Sequence, residues 1–254
     1  AIALATAFLG VSNIPNKSSL YLISAAIICA ILFLIHEYNA KMPLLEIKIF
    51  YNNRAFLLSS FSAVANYSAT YAVSFLMSIF LQKIKFLSAQ NTGIILALQP
   101  AAQCLLAPFA GKLSDRVEPR FIASAGMFIT FIGIIFLSYL TANTNIYIIY
   151  LALIFIGLGF GLFSAPNTNA IMSSVSKEYY GVASGMVGTM RMFGQMFSMG
   201  LTLAVFAILI GRKQITTDTA GVFIKSTNIL FIIFACVCFI GIFASLSRGK
   251  IKRE

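Results

Sequence analysis

The ten residues Gly111–Arg120 read G-K-L-S-D-R-V-E-P-R and separate two long apolar runs, Thr92–Ala110 and Phe121–Leu140. Half of the ten side chains are charged, although both neighbouring runs approach the length needed to cross a bilayer. Lysine and arginine commonly sit just outside membrane spans, so the stretch fits an interfacial turn. This pattern predicts two spanning helices joined by a short charged loop.

A more specific interpretation makes this stretch a gating loop. Gly111 would let two helix ends approach closely, and Asp115 would pair with Arg116, Arg120 or a neighbouring helix end. Charge pairs at such a position can break and reform when helices move. A solvated turn remains the alternative.

The composition of the 254 residues agrees with a lipid environment. Hydrophobic residues make up 59% and charged residues 10%, with a mean hydropathy of +0.92, against roughly 45–50% and 25% in soluble domains. The net charge is +11, but the basic residues are scattered through short loops. Nucleic-acid-binding surfaces gather them into one patch, so we expect no nucleic-acid partner.

Few residues in the chain are suited to catalysis or metal binding. All four cysteines lie in apolar runs, and the C-V-C pair lacks metal-ligand spacing; they are Cys29, Cys104, Cys236 and Cys238. The single histidine, His36, stands at the end of an apolar run. We therefore expect no enzyme, no catalytic residue, no metal site and no cofactor.

Apolar runs of about 20 residues predict an all-α, polytopic membrane helix bundle, because helices satisfy their own backbone in lipid. Ala1–Val11 is too short to cross and is interpreted as the end of a helix that begins earlier, so the sequence looks like a fragment. Seven further runs predict spans: Ser19–Ile35, Ala55–Leu81, Thr92–Ala110, Phe121–Leu140, Ile146–Phe163, Val182–Ile210 and Thr227–Leu246.

The distribution of positive charge predicts the orientation. Of the 18 lysine and arginine residues, eleven lie on one side of the predicted spans, six on the other and one inside a span. The richer side should be cytoplasmic. This assignment places the charged loop and the basic C-terminal tail in the cytosol.

The span Ala55–Leu81 carries a polar stripe that lipid alone would not favour. At 100° per residue, one arc collects Ser59, Ser62, Asn66, Thr70 and Ser74, with Tyr67 and Tyr71 at its edge. Hydrogen bonds to neighbouring helices would account for the serines. A cavity wall is the interpretation we favour, with Asn66, Tyr67, Thr70 and Tyr71 as candidate lining residues.

Further polar residues lie in the later spans. Gln99 and Gln103 stand one turn apart, either facing a cavity or locking two helices together, and Asn167 completes the candidate cavity set. Arg191 is the only charge inside any predicted span. Such a charge is a functional candidate by default, and snorkelling to the cytosolic surface is the alternative.

Several of these segments resemble the major facilitator superfamily of secondary transporters. The order Gly-x-Leu-x-Asp-Arg in the charged loop resembles the loop signature of that family, except that Glu118 and Pro119 stand where a second glycine is usual. Further similar stretches are P-L-L-E-I-K-I-F-Y-N-N-R-A-F (Pro43–Phe56), G-L-G-F-G-L-F-S-A-P-N (Gly157–Asn167), G-V-A-S-G (Gly181–Gly185) and M-R-M-F-G (Met190–Gly194). Their order is similar to the C-terminal half of a fourteen-helix drug/proton antiporter.

The resemblance implies two regions and a mechanism. Residues 1–54 would comprise the end of a truncated helix, one linker helix and a cytosolic connector, and residues 55–254 the C-terminal six-helix bundle with its basic tail. It also implies multidrug efflux by alternating access in the plasma membrane, driven by a proton gradient. The partners would be the bilayer, an N-terminal bundle absent from this sequence, and an amphipathic or lipophilic substrate, cations included.

Three alternatives stay open at this point: a transporter of the same family for another solute, a seven-helix protein of receptor type, and an inactive truncation. No span contains the lysine that a retinal Schiff base needs. No span contains an acid either, so this sequence shows no proton relay.

Overall fold

The computed structural model describes residues 53–114, 116–211 and 219–249, with a few positions between 10 and 32. Within these ranges the chain is helical and contains no strand, which confirms the all-α class. The helices are α1 (Arg54–Ile79), α2 (Ala89–Leu96), α3 (Leu98–Ser114), α4 (Pro119–Ser138), α5 (Ile146–Met172), α6 (Tyr180–Leu209) and α7 (Ala220–Ser247). A π-helical turn, Phe80–Ile84, extends α1, and a 3-10 turn, Lys177–Tyr179, precedes α6.

In the described part of the chain, six helical segments are long and apolar enough to cross a membrane, with α2 and α3 together forming the second. They correspond to the predicted spans from Ala55–Leu81 onwards. The predicted span Ser19–Ile35 and the run Ala1–Val11 lie largely outside the described residues. The chain is an integral membrane protein.

The second span is interrupted at Ala97, between α2 and α3. Proline lacks a backbone N–H, and its ring crowds the carbonyl four residues earlier. Pro100 stands four residues after Leu96, where α2 ends. The interruption therefore follows from Pro100 and is confined to this point, because the Ala97 N–H still donates to the Gly93 carbonyl oxygen and the Ala101 N–H to the Ala97 carbonyl oxygen.

The helices pack side by side in the order α6, α1, α7, α4, α5, α3. The centre is apolar and includes Ala72 and Leu76 of α1, Ile156 of α5 and Phe234 of α7, all fully buried. Because α3 and α6 stand at the two ends of this order, the bundle has an open side between them. The site described below lies on that side.

Polar contacts hold both ends of the bundle. At one end, the Asn53 side chain caps α1 by accepting a hydrogen bond from the Phe56 N–H. At the other, Lys85 Nζ donates to the carbonyl oxygens of Ala142 (2.8 Å) and Thr144 (2.6 Å), in the loop that follows α4.

Candidate functional site

A cavity of about 580 Å³ opens between α1, α3, α5 and α6. Among the described residues, its wall mixes aromatic rings, hydroxyl groups and carboxamides, with one cationic side chain and no carboxylate. The lining residues are Tyr67, Thr70, Tyr71, Ser74, Phe75, Gln99, Gln103, Phe160, Ser164, Arg191, Gln195 and Met199.

The α1 wall of the cavity is formed by the tyrosine edge of the polar stripe. Tyr67, Thr70, Tyr71 and Ser74 lie within one helical turn or two of each other and face the same side. The serine side of the stripe turns into the bundle, because small hydroxyl side chains allow helices to approach closely. Ser62, for example, is fully buried and donates to the carbonyl oxygens of Leu58 and Gly241.

Two of the seven candidate cavity residues, Asn66 and Asn167, lie away from the cavity lining. Asn66 is fully buried in the bundle, and its carboxamide has no hydrogen-bond partner among the described residues. Asn167 is also buried, and its Nδ2 donates to the Ser59 carbonyl oxygen at 3.1 Å. Both side chains face neighbouring helices, the alternative weighed for the serines.

Glycines on α5 bring α3 close enough to place Gln99 and Gln103 in the cavity wall. A Cβ atom at Gly157 would collide with the Gln99 carbonyl oxygen. At Gly161 it would lie 2.9 Å from the Gln103 carbonyl oxygen. Each of these glycines thus admits the backbone of α3 at a position where a larger residue would push it away.

A third glycine seats α6 against α1. A Cβ atom at Gly194 would lie 2.7 Å from Tyr67 Cβ. Arg191 stands one turn earlier on α6, and its guanidinium carbon is 5.3 Å from the centroid of the Tyr67 ring, a cation–π geometry. Phe160 also contacts the Tyr67 ring, with the two ring centroids 5.4 Å apart and the ring planes at 67° to each other.

The structure therefore places the Arg191 side chain in the cavity. It is an exposed side chain, and no carboxylate partner for it occurs among the described residues. Among the lining residues that our sequence reasoning did not select, Gln195 follows Arg191 by four residues and Ser164 follows Phe160 by four. Spacing by one helical turn from Arg191 is the signal that would have found Gln195. Phe160 was not selected either, so it gave no such signal for Ser164.

The charged loop is shorter than its sequence suggested. Helix α3 continues to Ser114 and α4 begins at Pro119, so Gly111 lies inside a helix. Nothing described lies within 4 Å of a Cβ built at Gly111, so a close approach of helix ends is not seen there. Asp115 lies outside the described residues.

The two arginines of this loop differ in their surroundings. Arg116 is exposed. Arg120 lies with its Nε 2.5 Å from Glu118 Oε2 and its guanidinium carbon 4.6 Å from the centroid of the Phe121 ring. The described acidic partner of Arg120 is thus Glu118, which our sequence analysis noted only as a departure from the family pattern.

The sequence analysis assigned Arg248 to the basic tail, but its side chain is buried. Only 2% of it is exposed, and its Nη1 donates to Ser59 Oγ (3.1 Å) and Asn167 Oδ1 (2.9 Å). Burial, and secondly the positive charge of Arg120, lower the pKa of Arg248 to about 10, so it remains charged at neutral pH. This residue connects the end of α7 to α1 and α5.

Comparison with known proteins identifies the family. A family model described as the Major Facilitator Superfamily matches residues 1–199 and, in a second overlapping match, residues 60–252. The chain belongs to the Major Facilitator Superfamily. The resemblance in the charged loop and the later helices is thereby confirmed, and the fold is that of a transporter family and not of an enzyme family.

The similar curated proteins are transporters. The riboflavin transporter RibZ of Clostridioides difficile is 28% identical over 91% of this chain and 50% of its own length. An uncharacterized transporter of Escherichia coli, YebQ, is 31% identical over 94% and 51%. The multidrug resistance protein Stp of Mycobacterium tuberculosis (strain H37Rv) is 25% identical over 72% and 34%.

The chain spans about half the length of RibZ and YebQ. Membership in the Major Facilitator Superfamily speaks against the seven-helix receptor alternative. It leaves open which solute is moved.

Proposed function

We propose that the protein transports small amphipathic or lipophilic molecules across the plasma membrane, and that the cavity between α1, α3, α5 and α6 is this chain's share of the substrate site. This proposal rests on the position of that cavity and on the chemistry of its lining residues. Polar groups and aromatic rings converge midway along helices that otherwise present apolar surface to their surroundings. A few directed polar groups within an aromatic wall are typical of small-molecule sites.

The mechanism that we propose is alternating access. In this mechanism, two bundles rock about a site near the middle of the membrane. Residues 55–254 would form the C-terminal bundle, residues 1–54 its linker region, and an N-terminal bundle would close the open side between α3 and α6. Gly181, Gly185 and Gly188 of α6 support this arrangement, because no described atom lies within 4 Å of a Cβ at any of them.

We further propose that the charged loop acts as a gate at the cytosolic ends of the helices. Gly111, Asp115, Arg116 and Arg120 are the residues assigned to it. The Arg120–Glu118 pair supports a charge contact there. Glu118 and Arg120 both stand at the beginning of α4, so this pair would move with α4 as one charged group when that helix moves relative to α3.

Drug efflux driven by a proton gradient is the specific activity that we propose. Its support is that one similar protein is a multidrug resistance protein and that the sequence resembles drug/proton antiporters. The transport of another solute is the second candidate, favoured by the first similar protein, a riboflavin transporter, and by the aromatic cavity wall.

The proposal is tested by substituting Tyr71 in the complete protein, expressed in a bacterium that lacks its own multidrug exporters. Tyr71 is 47% exposed and lines the cavity, so Tyr71→Ala removes an aromatic contact and leaves the bundle core intact. We expect transport of at least one compound in a panel of drugs and dyes to fall about two- to tenfold. Efflux rates measured by dye fluorescence provide the readout.

Tyr139→Ala is the matched control, because this tyrosine is 77% exposed at the end of α4, outside the cavity lining. It should leave every efflux rate unchanged. Equal rates for both variants and the wild-type protein across the whole panel would show that the cavity does not hold substrate.

A further inference from the structure

The charge in the cavity restricts the substrates that it can hold. Arg191 is the only ionised side chain among the lining residues. The two acids within the described residues, Glu118 and Glu178, lie at helix ends. The walls contributed by this chain therefore carry one positive charge that no carboxylate balances in the described structure, and a substrate cation entering here meets repulsion.

The Tyr67 ring already has a cationic partner within the protein, the guanidinium of Arg191. A substrate cation binds a tyrosine by sitting over the ring face. The face of Tyr67 is covered by the Arg191 guanidinium at 5.3 Å, and Phe160 packs on the same ring at 5.4 Å. Tyr67 is only 6% exposed, so its ring is not free to attract a substrate cation.

The guanidinium retains donors for an anion. An arginine carries five N–H groups in a planar fork that matches a carboxylate or sulfonate. Because Arg191 is exposed, these N–H groups remain accessible to a ligand in the cavity. Gln195, one turn away on α6, and Gln99 and Gln103 on α3 supply further amide N–H groups to the same cavity.

Two aromatic side chains remain available to a ligand ring. Tyr71 and Phe75 line the cavity and are 47% and 37% exposed. Deepening the proposed transport function, on which this step rests, we infer that the cavity selects aromatic organic anions: Arg191 receives the anionic group while Tyr71 and Phe75 contact the ring. Arg191 is thereby a specificity-determining residue.

The test measures binding to the complete purified protein in lipid nanodiscs, with three planar aromatic dyes of different charge. Fluorescein is anionic, riboflavin neutral and ethidium cationic at neutral pH. We expect fluorescein to bind about tenfold more tightly than ethidium, as one charge-assisted contact provides. Fluorescence anisotropy gives the three dissociation constants.

Two substitutions at Arg191 separate charge from geometry. Arg191→Gln should weaken fluorescein binding about tenfold and strengthen ethidium binding, whereas Arg191→Lys should keep the order of preference and lose part of the affinity, since lysine keeps the charge without the fork. Arg54→Gln, at an exposed arginine at the beginning of α1 and outside the cavity lining, should change none of the constants. A single symmetric peak in size-exclusion chromatography shows that each variant is folded.

Three results would overturn the inference: wild-type protein that binds ethidium at least as well as fluorescein, an unchanged fluorescein-to-ethidium ratio in Arg191→Gln, or no binding of any of the three dyes. Uptake into proteoliposomes is measured separately. Selective binding of fluorescein without uptake would reject the proposed transport function and leave the anion preference standing. Uptake of ethidium alone would support the proposed transport function and overturn the anion preference.

Discussion

Arg248 carries its positive charge inside the protein, where a serine hydroxyl and an asparagine carboxamide take the place of a carboxylate. Its Nε and Nη2 atoms have no hydrogen-bond partner among the described residues. A buried charge is costly, and removing one of its few partners costs more than replacing the whole group by an apolar one. Substitutions at this position can therefore show whether the contacts of Arg248 stabilise the protein or only offset the cost of burying its charge.

We predict that Asn167→Leu destabilises the complete protein by about 2 kcal/mol, because the Arg248 guanidinium then loses its carboxamide acceptor. Adding Arg248→Met should restore part of that loss, since the uncompensated charge is removed. Thermal unfolding midpoints of the single and double variants in detergent provide the measurement.

Arg116→Met serves as the control, because it removes an exposed arginine at the same end of the bundle. It should leave the midpoint unchanged. If the loss of stability in the double variant equalled the sum of the losses in the two single variants, Arg248 and Asn167 would not act as a coupled pair.

At the scale of single residues, the residues selected from the sequence account for six of the twelve that line the cavity. Tyr67, Thr70 and Tyr71 were selected for their place on a helical arc, and they line the cavity. Asn66 lies on the same arc and is buried instead. Periodicity locates a polar arc to within about one residue, 100° of rotation, and packing decides which edge of it opens to the cavity.

At the scale of helices, the close approach of α3 to α5 depends on the absence of a side chain at Gly157. The carbonyl oxygen of Gln99 occupies the space where a Cβ at Gly157 would stand. We predict that Gly157→Ala destabilises the protein by about 1–3 kcal/mol, as overpacking does, and lowers transport by displacing Gln99. Unfolding midpoints and efflux rates of the same preparations test both effects.

Gly221→Ala is the comparison on another helix, because no described atom lies within 4 Å of a Cβ at this position in α7. Its stability should change by no more than about 0.5 kcal/mol, as at other open surface sites. If Gly157→Ala were equally silent, α3 and α5 would be able to separate without cost, and the glycine would have no positioning role.

The ends of helices were predictable where hydrophobic runs end. They were uncertain where a helix continues into a polar segment or where a proline interrupts it. The predicted loop Gly111–Arg120 contracts to four residues, because α3 extends to Ser114 and proline favours the first position of α4. Pro100 accounts for the interruption at Ala97. A hydrophobic run records the length of a span but not which residues inside it keep regular helical hydrogen bonds.

At the scale of the whole molecule, burial divides the six spans into two groups. In the most apolar window of Ala89–Ser114 and of Lys177–Leu209, 17% and 22% of residues are buried, against 44–67% in the other four. The two poorly covered spans flank the open side of the bundle. This pattern supports a second bundle that covers them.

We therefore predict that residues 54–254, expressed without the rest of the gene product, are less stable than the complete protein. The uncovered faces of α3 and α6 would expose polar cavity residues to lipid, which is unfavourable. Pulse-chase degradation in cells and size-exclusion profiles in detergent compare the two forms. Equal lifetimes and profiles would indicate that these faces meet lipid and not another bundle.

The positive charge of Arg191 also has an electrical consequence for a carrier that works by alternating access. A unit charge that crosses the whole membrane field exchanges about 2.3 kcal/mol per 100 mV. If the proposed anion binding and alternating access hold, a bound anion would cancel the charge of Arg191, and the loaded step would respond little to voltage. The empty site would keep its positive charge, so the membrane potential would influence the rate of the return step.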